Sequence, residues 1–506
     1  MNRNILQISL FSIFVLLLIS CQKKEQSKEA LLYKNHCARC HIVPDIQDLP
    51  KNIWQKNILP DMGARMGIST PGYNPLEGYS YEEQLAMMQS NTYPNKPTIS
   101  AEDWKILQDY IIELAPDSLV PNRGLPKLED SEQFETSPVK IDNQPGSFIT
   151  YLHYRNDENE MILGDMQGNL KAYDFKSNTL KKDENFGSPV IAYNSSKGKE
   201  YYTQIGQLNP SEIPTGAFSV KKGESLEIIF EDLHRPVHTL TEDLDGDGKD
   251  EFVISEFGNL TGQITLAYQD ENAKFQKKLL LNQPGVIRVL AEDMDGDGKK
   301  DLVALTSQGD ESIMIFYQTE ALEFRRDKAI RFSPVYGSSW FELMDYDHDG
   351  DMDIATVHGD NADKSSIPKP YHGLRIHLND GENNFTESYF YPLNGATRVL
   401  ARDFDQDKDI DFAIIATFPD YENAPKRSFI YLENTDAENF KFLTSTFEDV
   451  DKARWFLMDA GDIDQDGDLD IILSSFSYSF IPIPKEIQQK WGRNEVDLII
   501  LKNKLK

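Results

Sequence analysis

Two groups of residues in this 506-residue chain are equipped for chemistry. The first is Cys37-Ala38-Arg39-Cys40-His41. Its spacing sets two thiols on successive turns, where both can add to the vinyl groups of one haem, and the next residue offers an imidazole to the iron. The motif predicts one covalent haem c (heme c), attached through Cys37 and Cys40 and ligated by His41. A zinc or thiol-redox reading lacks further soft ligands, because the chain's only other cysteine is Cys21. A methionine thioether is the usual second axial ligand. Met62 and Met66 lie one helical turn apart in WQKNILPDMGARMG, and Met87 and Met88 are further options. Met62 is the favoured candidate and Met66 the alternative. The neighbouring His36 reads as a surface residue.

The second group is five acidic segments: DLDGDGKDE from 243, DMDGDGKKD from 293, DYDHDGDMD from 345, DFDQDKDID from 403 and DIDQDGDLD from 462. Carboxylates stand at positions 1, 3, 5 and 9, a peptide carbonyl is offered at 7, and glycine usually makes the turn at 6. Alternate oxygens around a sharp turn suit a hard cation, so about four to five Ca2+ are expected. The ligand sets would be Asp243, Asp245, Asp247, Lys249 and Glu251; Asp293, Asp295, Asp297, Lys299 and Asp301; Asp345, Asp347, Asp349, Asp351 and Asp353. The remaining two are Asp403, Asp405, Asp407, Asp409 and Asp411, and Asp462, Asp464, Asp466, Asp468 and Asp470. The lysines contribute only their carbonyls. Lys408 replaces the glycine of the fourth loop, which weakens or empties that site. An EF-hand is excluded: position 12 is Ile254, Ala304, Thr356, Ile414 or Leu473 rather than glutamate, and strand-like runs follow.

Elements that would position these groups are legible in the spacing. Acidic segments recurring about every 50 residues signal a repeat of propeller-blade size. One unit reads VIRVLAE, acidic loop, LVALTS, SIMIFYQ, KAIRFS, which is four strands. Two degenerate units precede the five, one with Asp157-Glu-Asn-Glu in place of the loop, so seven blades are expected over 136–506. The last unit lacks its fourth strand. Residues near 136–141 (TSPVKI) are expected to return and close the ring, since an open edge would stay unpaired. The pattern resembles FG-GAP/VCBS repeats of integrin-type propellers, which implies a calcium ion in the hairpin between two strands of a blade.

EALLYKNH before the cysteine motif and the segment from Ser100, with Asp103 at the capping-box position, resemble the first and last helices of a class I cytochrome c. The apolar run 5–19 behind Arg3 is too short to span a membrane and reads as a signal-peptide core. Its end, Leu18-Ile19-Ser20-Cys21, resembles the lipobox of bacterial lipoproteins, faintly Bacteroidetes-like in the tether that follows. That resemblance implies cleavage before Cys21 and acylation there, at about 0.8 kcal/mol per buried methylene. The expected map is therefore signal peptide 1–20, lipidated tether 21–29, cytochrome c domain 30–116, linker 117–135 and propeller 136–506. The fold class is a small all-α domain followed by an all-β seven-bladed propeller.

With 83 acidic and 52 basic side chains the formal charge is −31, which excludes nucleic acid as partner. Hydrophobic residues at 39% exclude wholesale disorder, and three cysteines exclude a disulfide scaffold. Five residues before the acidic loops stand His238, Arg288, Trp340 and Arg398, with Arg454 near the equivalent place. These cations and the indole are expected to line a ligand or docking face at the channel mouth, opposite the ions. The long loops of blades five to seven share that face. Together the signals predict an electron carrier anchored to a membrane facing the periplasm, the outer membrane by preference, with a dehydrogenase or another redox protein as partner. Two alternatives stand beside it: a propeller that oxidises a sugar or alcohol itself, and a carbohydrate- or protein-binding module.

Overall fold

The computed structural model describes residues 27–122, 125–142, 146–223, 225–360, 365–478, 483–493 and 496–505. The expected signal peptide and Cys21 lie outside these residues.

The described residues open with a helical unit. The helix Lys28–Cys37 is capped by Ser27, whose side chain accepts from Ala30 N. A helical run follows as Lys51–Ile53, the π-helical Trp54–Ile58 and Leu59–Arg65. Tyr81–Gln89 carries a reciprocal capping box between Ser80 and Glu83. Ala101–Leu114 begins at Ser100, which accepts from Asp103 N as its sequence position predicts. Trp104, Leu107 and Ile111 repeat at helical spacing and bury against Leu49, Trp54 and Leu59. The packing is close: a side chain at Gly63 would meet the Trp104 ring at 3.1 Å.

Seven sheets follow, each a blade, six of them four-stranded and the sixth blade five-stranded through an added edge. Blade four, Val286–Glu292, Asp301–Thr306, Ser312–Glu320 and Glu323–Arg331, is typical. Second strands such as Asp301–Thr306 and Asp411–Ala416 are buried at every residue. Neighbouring blades cover both of their faces, which is why they read as unbroken apolar runs rather than alternations. The ring closes through Phe134–Val139, which pairs antiparallel with Leu498–Asn503 in blade seven. This strand starts two residues before the expected 136–141. Upstream, Glu129–Asp130 adds a parallel edge to blade six, so part of the expected linker is strand.

The helical unit docks on the face opposite the acidic hairpins. Val335 and Tyr371 bury into its core, and the Tyr371 hydroxyl donates to the Asp48 carbonyl at 3.1 Å. Further round the ring, the Ser211 hydroxyl donates to Glu83 Oε1 at 3.0 Å. These contacts belong to blades five and two, so the unit reaches across the face. The blade-five loop, expected to share the ligand or docking face, thus serves partly as the seat of the chain's own helical unit.

Candidate functional site

Cys37 ends the first helix, and Cys40 and His41 follow in the turn that leaves it. Cys37 is half-buried and Cys40 exposed. Burial, and then Cys40, pushes the Cys37 thiol up to about 12. His41 Nδ1 lies 2.7 Å from the Ile42 carbonyl. A carbonyl only accepts, so Nδ1 carries the proton and Nε2 is left as the ligating nitrogen. Met62 and Met66 pack against the same apolar cluster as Cys37, while Met87 is buried and Met88 exposed. Trp54 Nε1 donates to the Ile46 carbonyl at 3.0 Å, tying the methionine-bearing run to the segment after the motif. The donor set fits a covalent haem: two thiols, one oriented imidazole and two thioethers beside one core. His36 is less exposed than its surface reading implied, with Nδ1 shielded and without a hydrogen-bond partner.

The acidic hairpins lie on the opposite face, each an eight-residue connection between the inner and second strands of blades three to seven. Each brings three carboxylates within 4.8 Å: Asp243, Asp245 and Glu251; Asp293, Asp295 and Asp297; Asp345, Asp347 and Asp353; Asp403, Asp405 and Asp407; Asp462, Asp464 and Asp466. The loop backbone is wound by its own aspartates. Position 1 accepts from the position-6 amide, as Asp243 does from Gly248 at 2.9 Å and Asp403 from Lys408 at 3.1 Å. Position 6 is left-handed in these turns, with φ of 83° at Gly248 and 97° at Gly350, and Lys408 is held at 85° without glycine's freedom. Position 4 is left-handed too, including His348, Gln406 and Gln465, which the sequence reading passed over.

Position 9 has a second task that the spacing did not reveal. One oxygen of Asp301 accepts from Met294 N at 3.0 Å and the other from Gln318 N at 2.7 Å, stapling the loop to the third strand. Asp353, Asp411 and Asp470 repeat the arrangement. In the first two loops Asp247 and Asp297 bend to Lys249 and Lys299 at 2.5 Å. In the other three, position 7 is an aspartate: Asp351, Asp409 or Asp468.

Without a cation these groups resist ionisation. Burial, then neighbouring carboxylates, pushes Glu251, Asp409 and Asp411 up to about 7, and Asp301, Asp353, Asp405 and Asp470 up to about 6. Shielded oxygens of Asp243, Asp345, Asp351, Asp403, Asp409 and Asp468 have no hydrogen-bond partner. A divalent ion would satisfy both conditions, and the all-oxygen donor set is that of a hard cation. Asp349 stands outside its loop's triad of carboxylates.

Four of the five expected channel residues meet. A backbone irregularity in every inner strand aligns its third residue, giving a layer of Tyr151, Ala192, His238, Arg288, Trp340, Arg398 and Leu457. The guanidinium groups of Arg288 and Arg398 lie 4.3 and 4.2 Å from the Trp340 ring centre. Arg454 does not belong to this layer. It precedes the blade-seven strand, stays 2% exposed, and donates to the Tyr478 carbonyl at 2.5 Å beside the Phe418 ring. The register-equivalent residue of that blade is Leu457.

Residues 243–304 and 293–356 match a family model described as FG-GAP-like repeat. The chain carries FG-GAP-like repeats within a seven-bladed β-propeller. Comparison with curated proteins by sequence gives no match. Among solved structures it is similar to the N-terminal domain of Nup159, at 10% identity and a TM-score of 0.43 over 74% of this chain and 97% of that one. The WD40 domain of Neurospora crassa Pan2 matches with 10% identity, a TM-score of 0.45 and the same coverage. Likenesses this distant carry no argument about what the chain does.

Proposed function

We propose that this chain is a one-electron carrier of the cell envelope, with the helical unit holding a single c-type haem and the propeller holding calcium. The observation that carries the reading is the oriented C-x-x-C-H turn, with His41 Nε2 left free by its Nδ1 bond and with Met62 and Met66 on the adjoining core. Bound there, the haem supplies a one-electron iron couple. Cys37 and Cys40 would hold the group covalently, and His41 Nε2 together with the Met62 thioether, or alternatively Met66, would ligate its iron. The core of Leu49, Trp54, Leu59 and Trp104 would exclude water beside it. Exposed Cys40 leaves the motif open to a redox partner protein.

Calcium in the five hairpins would neutralise carboxylates that otherwise repel, adding its binding energy to folding. A lipid anchor at Cys21 would hold the carrier on a membrane facing the periplasm, where a dehydrogenase delivers electrons. Among the described residues no helix is long and apolar enough to cross a membrane.

The test is the visible spectrum of mature protein made in a host with haem-attachment machinery. Haem that stays with the polypeptide in acid solvent, a sharp α band with dithionite, and loss of both in Cys37→Ala/Cys40→Ala are expected. Protein without covalent haem would overturn the proposal. A panel of sugars and alcohols should leave the oxidised spectrum unchanged. An α band raised by one of them alone would make the chain an oxidoreductase in its own right.

A further inference from the structure

The channel layer is positively charged in a strongly acidic molecule. Arg288 Nη1 donates to the Phe341 carbonyl and to Glu342 Oε1, both at 2.6 Å, but its Nε is shielded and has no hydrogen-bond partner. Arg398 Nη1 is engaged only by backbone, the Thr397 carbonyl at 2.9 Å and the Ser339 carbonyl at 3.5 Å. Glu342 also takes Trp340 Nε1 at 3.1 Å and faces Arg402 at 3.5 Å. Two guanidinium groups, Arg288 and Arg402, therefore share one carboxylate, and the Nη1 of Arg398 has only backbone carbonyls. His238 Nδ1, on the blade next to that of Arg288, is likewise shielded and without a hydrogen-bond partner. Burial, then Arg288 and Arg398, holds the His238 imidazole down to about 3, so it stands neutral close to both cations. Arg398 is itself pushed down to about 10 by burial and then by Arg288.

Two shielded nitrogens and an excess of half-buried positive charge are costly unless an acceptor completes them. We propose that this layer of the central channel is a binding site for a small oxyanion, inorganic or the carboxylate of a small organic acid. Arg398 and Arg288 Nε supply charge-assisted donors, His238 Nδ1 supplies a neutral one, and Trp340 holds the two guanidinium planes in place. The site stands apart from the electron-carrier reading, since none of its residues touches the cysteine motif.

The test is isothermal titration of the whole, calcium-loaded protein, freed of excess calcium, with sodium sulfate and sodium acetate, and with sodium chloride as the ionic-strength control. One-site binding of either oxyanion is expected, with affinity falling about tenfold or more in Arg398→Gln and in His238→Leu. Tighter sulfate would identify an inorganic ligand, and acetate of equal or greater affinity an organic acid; both support the site. His238→Leu removes the donor while leaving the charge of the layer unchanged, so it decides the matter should Arg398→Gln fail to fold. Absence of oxyanion binding above the chloride control would overturn the proposal. So would binding left unchanged by His238→Leu.

Discussion

The hairpins of blades one and two and those of blades three to seven solve one electrostatic problem in two ways. In all seven blades the inner strand turns into the second strand on the same face. Blade one makes that turn in four residues, blade two in two, and the other five in eight. Glu160 opens the second strand of blade one at the register of Glu251 and Asp301. Its carboxylate meets Lys181 at 2.8 Å, and Lys181 also holds Asp174 at 2.5 Å, drawing that carboxyl down to about 2. Blade two has Lys199 at the equivalent place. The short hairpins carry their own cation, whereas the long ones crowd three carboxylates together, with a lysine beside them in the first two, Lys249 and Lys299. On the proposed calcium reading the two short hairpins should be indifferent to metal, and the five long ones should make stability a function of it.

Breaking the comparison most severely means removing the ion. Chelation should lower the thermal midpoint steeply, since a site at about 100 times its Kd contributes about 2.7 kcal/mol. Hydrogen exchange should then rise first in the hairpins from 243, 293, 345, 403 and 462 and last in blades one and two. An EDTA-insensitive midpoint would mean that these loops fold without metal.

Next in size is a single loop. Asp345→Ala should cost about 2–3 kcal/mol in calcium, one ion's share, and little in EDTA. Lys181→Ala in blade one should cost less and equally in both buffers. Differential scanning calorimetry of the two variants in both buffers separates the cases. Calcium sensitivity of the lysine variant would refute the distinction.

A buried carboxylate with neither ion nor lysine sharpens it further. Glu311 accepts from Ser338 N at 2.9 Å and from the Ser338 hydroxyl at 2.6 Å, and burial pushes it up to about 7. A carboxyl raised in the fold binds its proton more tightly there than when unfolded. Its stabilising effect is thus present below about pH 4.5 and lost as pH rises through about 7. In calcium-saturated protein, Glu311→Gln should flatten the stability profile across that window by on the order of 1–2 kcal/mol. An unchanged slope by denaturant titration would show Glu311 ionised in the fold.

The smallest effect concerns Lys408. Its φ of 85° is a left-handed strain that glycine would relieve, so Lys408→Gly should stabilise by about 1 kcal/mol or less and tighten calcium in the fourth loop alone. Calcium titration of that variant against wild type checks both.

Several features were legible because they are local. Ser100 caps its helix as expected, since the cap needs only the amide three residues on. The acidic turns were legible for the same reason: five contiguous copies of alternating aspartates allow few other backbone paths. The closing strand near 136 followed from a missing fourth strand and the cost of an open edge. Arg454 was misplaced because it departs from the five-residue spacing, which falls on Leu457, and precedes a strand that begins at Trp455. The position-9 staple escaped because its partner, Asn503 for Asp470, lies on a strand 33 residues away.

By itself the sequence determined the repeat, the seven blades, the oxygen-rich turns and the C-x-x-C-H segment, each written within a few consecutive residues. Tertiary structure alone decided which inner-strand side chains converge in the channel and where the helical unit sits. Those outcomes depend on pairs such as Tyr371 and Asp48, 323 residues apart, or Arg288 and Arg398 on either side of Trp340. No local propensity encodes such meetings. They follow from ring closure, which brings every inner strand to one axis whatever residue it presents there.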